Sequence, residues 1–344
     1  MTSQGEAARL PVPEPVLEPE IPICDAHHHF WASRPDPAKY AEAVHWQERY
    51  LVRDLAEDTG GHNVRSTVFI EVASEYRPAG PVEMRPVGEV EFVQRLAEES
   101  AGGSYGPLRA AAAIIGHADL KLGEGVRPVL EAMCETSPDR FRGVRHSVGW
   151  DPSPDLPNRE ADGMLSHEGY RAGARVLASM GLCLENSLYF PQLQELAEFA
   201  RAAPDLTIVL NHIGGLVRIG PYANRDDEVI PAWQRGIRAT AGCPNIVMKL
   251  GGLGQARYGF DWHRRREPLG SEELAASLHT FMGYCIEQFG PDRCMFESNF
   301  PVDKVSYSYN VVYNAFKRLS REYSASERAA MFHDVAARVY GIDA

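Results

Sequence analysis

Three consecutive histidines stand in the stretch CDAHHHFW, Cys24 to Trp31. Imidazole is the commonest protein metal ligand and titrates near neutral pH, so histidines at this spacing offer metal binding, proton transfer, or both. In a strand, successive side chains alternate between faces, which puts His27 and His29 on one side and His28 on the other. The same alternation sends Asp25 toward the cavity that His27 and His29 would face. Polar residues recur at the ends of other apolar runs: Glu71, His117, Arg145 with His146, and Asn186 with Tyr189. Further along come His212, Lys249, and Glu297 with Asn299 and Asp303. One histidine in such a place is commonly a hydrogen-bonded structural residue. A ring of titratable groups is costly to bury and reads as a functional site.

Eight short apolar or β-branched runs carry these residues, and they set the expected strands: 23–31, 64–74, 109–120, 141–151, 182–190, 206–215, 245–253 and 293–303. Longer runs with helical periodicity lie between them, often closed by Gly or Pro. Strand and helix alternating eight times predict an α/β fold, a (β/α)8 TIM barrel, whose chemistry sits at the C-terminal ends of the strands. An open doubly wound sheet is the runner-up, and no Gly-rich dinucleotide fingerprint follows the first strand to support it. Residues 1–20 read as an extended Pro/Glu-rich arm and 21–344 as one barrel domain. An extra helix ends the chain, capped by Ser324 with Glu327 three residues later. Two double glycines, Gly214–Gly215 and Gly251–Gly252, either hold the rim open for a ligand or serve as ordinary turn residues.

Of 344 residues, 35 are Lys or Arg and 47 are Asp or Glu, a net charge of −12. That balance argues against nucleic acid as a partner, because phosphate binding needs a basic surface. The short basic run His263 to Glu267 reads as a solvated loop, with attraction of an anionic substrate as its alternative. No apolar run approaches the roughly 20 residues needed to span a bilayer. The N-terminus has no secretory pattern, and six scattered cysteines fit reduced thiols, so a cytoplasmic location is expected. Aromatic residues at the expected rim (Trp31, Trp150, Tyr189, Phe190, Tyr222, Tyr258, Trp262) suit a substrate with an apolar face, or simply loop packing. Homo-oligomerisation is left open.

Taken in order, the pieces CDAHHHFW, FRGVRH, LYFPQL, LNHIGG, VMKLGG, RCMFESNFPVD and AARVYGI resemble the amidohydrolase superfamily, and within it the amidohydrolase-related lactonases. The resemblance implies that His27, His29 and His212 bind a metal or the substrate, and that Arg145 holds a substrate carboxylate or carbonyl oxygen. It implies a substrate contact or a bracing role for Lys249. His117, Tyr189 and Asn186 join the candidate substrate contacts by their strand-end positions. One divalent metal, zinc or similar, is the expected cofactor, with metal-free operation left open.

The expected reaction is opening of a lactone or similar cyclic ester of a small organic acid by water. The strand-eight aspartate of the group falls on Asn299 here. An amide cannot act as a base at neutral pH, though its oxygen can accept a hydrogen bond or weakly ligate a metal. The base is therefore expected among Glu71, Glu297 and Asp303. The alternative is a metal that lowers the pKa of water to about 7, with a histidine completing the transfer. If Asn299 only positions water, Asn299→Asp should work as well or faster. Two other readings stand beside this one: a metal-dependent decarboxylase of the same superfamily, and a non-catalytic barrel that binds a small acid.

Overall fold

Each of the eight apolar runs forms a strand, shorter than its expected span. They are β1 (Pro22–His28), β2 (Asn63–Ile70), β3 (Arg109–Gly116) and β4 (Phe141–Arg145). Then come β5 (Cys183–Asn186), β6 (Ile208–Leu210), β7 (Ile246–Gly251) and β8 (Cys294–Glu297). All pair in parallel in chain order. The first and last strands meet beyond their ends, where Asn299 N–H donates to His27 O and His29 N–H to Phe300 O, both at 2.8 Å. The computed structural model describes residues 14–36 and 46–343, so residues 1–13 of the expected arm lie outside the described residues. The fold is the expected (β/α)8 barrel.

Helices with one apolar face cover the barrel, among them Val87–Glu99, Glu168–Ser179, Ser271–Phe289 and Tyr309–Leu319. Along the last of these runs the described part of the N-terminal segment. Asn310 and Asn314, one turn apart, donate to Glu14 O and Pro15 O, and Lys317 Nζ donates to Leu17 O. The final helix begins with Ser324 and Glu327 bonded reciprocally as a capping box and ends at Tyr340. Its Val335, Ala336 and Tyr340 plug the lower barrel. There they meet an apolar layer that includes Cys24, Ala26, Val68, Ile115, Val209 and Met295.

Two departures from regular strand geometry decide what reaches the top. The β1–β2 register shifts between Asp25 and His28, a bulge that switches the alternation of faces. Asp25 therefore does not join the histidines, contrary to the period-2 expectation. Its carboxylate accepts Ser298 N–H at 2.8 Å and the Tyr309 hydroxyl at 3.1 Å, tying β1 to β8 and to the helix outside. The second departure ends β6 at Leu210 instead of 215. His212 and Ile213 have φ of 50° and 47°, so LNHIGG leaves the sheet in a left-handed turn.

Candidate active site

Hydrogen bonds behind the imidazoles fix which nitrogen each turns to the centre. His29 Nδ1 lies 2.8 Å from Ile70 O and must carry the proton it donates. One carboxylate serves the other two histidines: Glu297 Oε2 lies 2.8 Å from His27 Nδ1 and Oε1 2.7 Å from His212 Nδ1. His29 and His212 are then Nδ1–H tautomers with Nε2 lone pairs left over, while His27 Nδ1 stands between Glu297 Oε2 and Lys249 Nζ, the latter at 3.4 Å. The Nε2 atoms of His27 and His29 are 3.2 Å apart, and the His27 and His212 ring centroids 4.8 Å. Burial holds all three well below the usual histidine range. Lys249 adds to the effect at His27, Arg145 at His29, and Arg257 at His212. They are neutral lone-pair donors.

Asn299 completes the group. Its Nδ2 donates to Asp303 Oδ1 at 2.7 Å, which turns its Oδ1 to His29 Nε2 at 3.2 Å. Asp303 also accepts Gly254 N–H and the Tyr307 hydroxyl. Burial pushes its carboxyl up to about 7, against the pull of these donors. Acceptor atoms of His29 and Asn299 thus face one another at 3.2 Å, with His27 Nε2 as close on the other side of His29, and a cation joining them would relieve the repulsion. Ligands on bonds of about 2.0–2.1 Å stand roughly 3 Å apart, so the donor set fits a divalent ion such as zinc. Glu297 lies close enough to ligate, within 4.8 Å of both His27 and His212 donors. Its Oε1 already accepts the His212 Nδ1 proton, which leaves its Oε2, the Nε2 atoms and the amide oxygen as candidate ligands.

Arg145 stands beside this group, Nη1 at 3.4 Å from His27 Nε2. Its other nitrogens are held by Glu71, through Oε1 at 2.7 Å and through the backbone oxygen. Burial works to raise the Glu71 carboxyl, yet Arg145, His117 and Arg159 hold it below its usual range. Beneath His27 lies a second buried pair, Lys249 with Glu185 at 2.8 Å, and Glu185 also accepts the Tyr340 hydroxyl.

The cavity at this barrel mouth measures about 380 Å³ and is walled by His29, Glu71, His117, Arg145, His212 and Asn299. His27 sits directly behind His29, fully buried. Five other candidates lie off the cavity wall. Glu297 and Asp303 form a supporting layer. Lys249 braces the barrel interior. Asn186 turns to Tyr170, and Tyr189 donates its hydroxyl to Pro157 O at 2.7 Å, so both are engaged with neighbouring structure. Trp31, Tyr258 and Trp262 are packed away, and the aromatic wall comes from Trp46 and Tyr76. In the basic run, Arg265 pairs with Glu273, as a solvated loop would.

Arg159, Glu160, Gln255 and Arg257 also line the cavity, although their types and spacing gave no sign of it. They sit in the loops after β4 and β7, where a basic residue looks like any surface residue.

The glycine pairs prove to make room for the protein's own groups. A Cβ on Gly252, at φ +70°, would lie 1.9 Å from His212 Nδ1, and one on Gly251 2.5 Å from Glu297 Cγ. Gly252→Ala is expected to lose about 1–2 kcal/mol from the left-handed backbone alone, measured by urea unfolding. It should also lower activity in protein that remains folded, because His212 must leave Glu297.

The amidohydrolase family profile matches residues 24–342. The chain is similar to an L-fucono-1,5-lactonase of Burkholderia multivorans, 26% identical over 321 residues, which covers 92% of this chain and 95% of that one. An amidohydrolase from Burkholderia multivorans, solved with bound zinc, superposes with a TM-score of 0.72 at 24% identity, covering 93% and 99% of the two chains. A 2,6-dihydroxybenzoate decarboxylase from Rhizobium shares the fold at 12% identity and a TM-score of 0.53, covering 94% and 99%. No helix among the described residues is long and apolar enough to cross a membrane.

Proposed function

The chain belongs to the amidohydrolase family, and from that premise we propose that it opens a lactone of a small organic acid by adding water to the ring carbonyl. The observation that carries the reading is the meeting of three neutral imidazoles, an amide oxygen and a guanidinium around one small cavity. Ester hydrolysis needs stabilisation of a tetrahedral oxyanion and a path for one proton from water to the leaving oxygen. Arg145, locked by Glu71, sets its guanidinium charge beside the carbonyl oxygen, where negative charge develops. His212 faces the same space from the turn after β6. Asn299 accepts a hydrogen bond from the attacking water and so orients it. A divalent ion held by His27, His29, His212 and Asn299 would supply Lewis-acid polarisation and more acidic water. The zinc in the similar Burkholderia amidohydrolase and the likeness to a lactonase support this reading.

Arg159 and Arg257 on the wall favour a substrate with a carboxylate or other anionic group away from the reacting carbonyl. A panel of sugar-acid lactones and carboxylated lactones, followed by proton release, tests this. At least one is expected to open, carboxylated members with the lower KM. Carbon dioxide release from carboxylic acids without lactone opening would instead identify a decarboxylase. Silence in both assays would leave a binding protein.

A further inference from the structure

With a carboxylate absent from the strand-eight position, the proposed reaction lacks an evident proton acceptor, and the cavity wall narrows the choice. Glu71 is held by Arg145 through its side chain. Glu160 accepts His146 Nε2–H at 2.9 Å and Lys121 Nζ at 2.7 Å. Burial works to raise it, but these donors hold it at about 2. His146 itself is fully used, because its Nδ1 accepts Leu120 N–H at 3.2 Å while Nε2 donates to Glu160. Glu297 and Asp303 stand behind the wall, their oxygens facing donors. Of the histidines on the wall, His29 and His212 belong to the proposed ligand set.

His117 remains. Its Nδ1 lies 3.0 Å from Arg145 O, so it donates there and presents an Nε2 lone pair. Among the described residues that Nε2 has no hydrogen-bond partner, and the half-buried ring lines the cavity. A space of about 380 Å³ holds one small organic acid, which puts any imidazole on its wall within reach of the bound molecule. Glu71, Arg145 and Arg159 line the same cavity, and His146 stands 5.5 Å away, ring to ring. The anchor on Arg145 O matters as well. It ties the orientation of this ring to the residue whose guanidinium faces the carbonyl.

We infer that His117 is the catalytic acid–base of this site, in place of the strand-eight carboxylate; the inference rests on the lactone-opening reading. As water oxygen bonds to the carbonyl carbon, the C=O π electrons move to oxygen and His117 Nε2 takes the water proton. When the oxyanion collapses, the ring C–O bond breaks and the imidazolium returns that proton to the leaving alkoxide. Water and lactone are consumed, a hydroxy acid forms, and His117 ends as it began.

The test compares wild type, His117→Ala and His117→Gln on the lactone that wild type turns over best, with thermal melting as the folding control. Both variants are expected to lower kcat by about 10²–10⁴-fold with KM little changed. Added imidazole should restore much of the rate to His117→Ala and little to His117→Gln, whose side chain fills the space. A kcat near wild type in either folded variant overturns the inference, and so does a large loss that imidazole does not repair in His117→Ala. If wild type opens no lactone, the hydrolase reading falls and this one falls with it. Lactone turnover with a dispensable His117 overturns this inference alone.

Discussion

Glu297→Gln is expected to lower kcat/KM by roughly 10³–10⁴-fold, comparable to losses seen when an amide replaces a carboxylate that fixes a histidine tautomer. The fold should survive. One carboxylate lies 2.8 and 2.7 Å from the Nδ1 atoms of His27 and His212, and also accepts His212 N–H at 3.2 Å. Burial pushes this carboxyl up to about 8, with Lys249 and the His212 backbone N–H opposing the rise. A glutamine has one acceptor oxygen, and its amide nitrogen can only donate. One imidazole must then move its proton to Nε2, where a lone pair is needed. The same variant should bind zinc more weakly, by about 10–100-fold, as loss of a partner behind a ligand commonly does. Turnover and zinc titration on folded protein check both expectations. Retention of full activity and affinity would mean the acid is protonated and already donates to one imidazole.

The second large effect concerns Asn299 and reverses an expectation drawn from the sequence. Asn299→Asp, taken alone, would seem only to place a carboxylate beside His29. In the structure Asn299 Nδ2 donates to Asp303 Oδ1 at 2.7 Å, so the substitution would set two carboxylates face to face in a buried place. Such pairs cannot both ionise. Asn299→Asp is therefore expected to lose activity and thermal stability. The double exchange Asn299→Asp with Asp303→Asn should recover both and exceed wild type in zinc affinity. The carboxylate then lies beside His29, and the amide behind it still donates. A full cycle of wild type, both single variants and the double variant isolates the coupling. Additive effects would show that the two side chains do not act as a pair.

Much of this architecture is legible along the chain. Eight apolar runs alternating with helical periodicity give the barrel, because inward strand faces and one-sided helices have few ways to bury themselves. His29, Glu71, His117, Arg145, His212 and Asn299 are found at the cavity by strand-end position alone. The rule behind that success is simple: C-terminal strand ends of a barrel converge. It also misplaced residues that share the position and point elsewhere. Asn186 and Tyr189 follow β5 yet bond to Tyr170 and to the β4 loop.

What the amino-acid order determined, then, is the set of strands, their sequence around the barrel, and the imidazoles and guanidinium carried to one end. What only the tertiary structure decided is which of those groups meet and which merely support. A bulge in β1 turns Asp25 outward while His27 and His29 face in. Contacts spanning 85 and 270 residues of chain join His212 to Glu297 and His29 to Asn299. Loops after β4 and β7 bring in Arg159 and Arg257. Local periodicity records which face a side chain takes in a regular element. It carries no information about register shifts, loop paths, or the partner waiting across the barrel, because those follow from closing all eight strands at once.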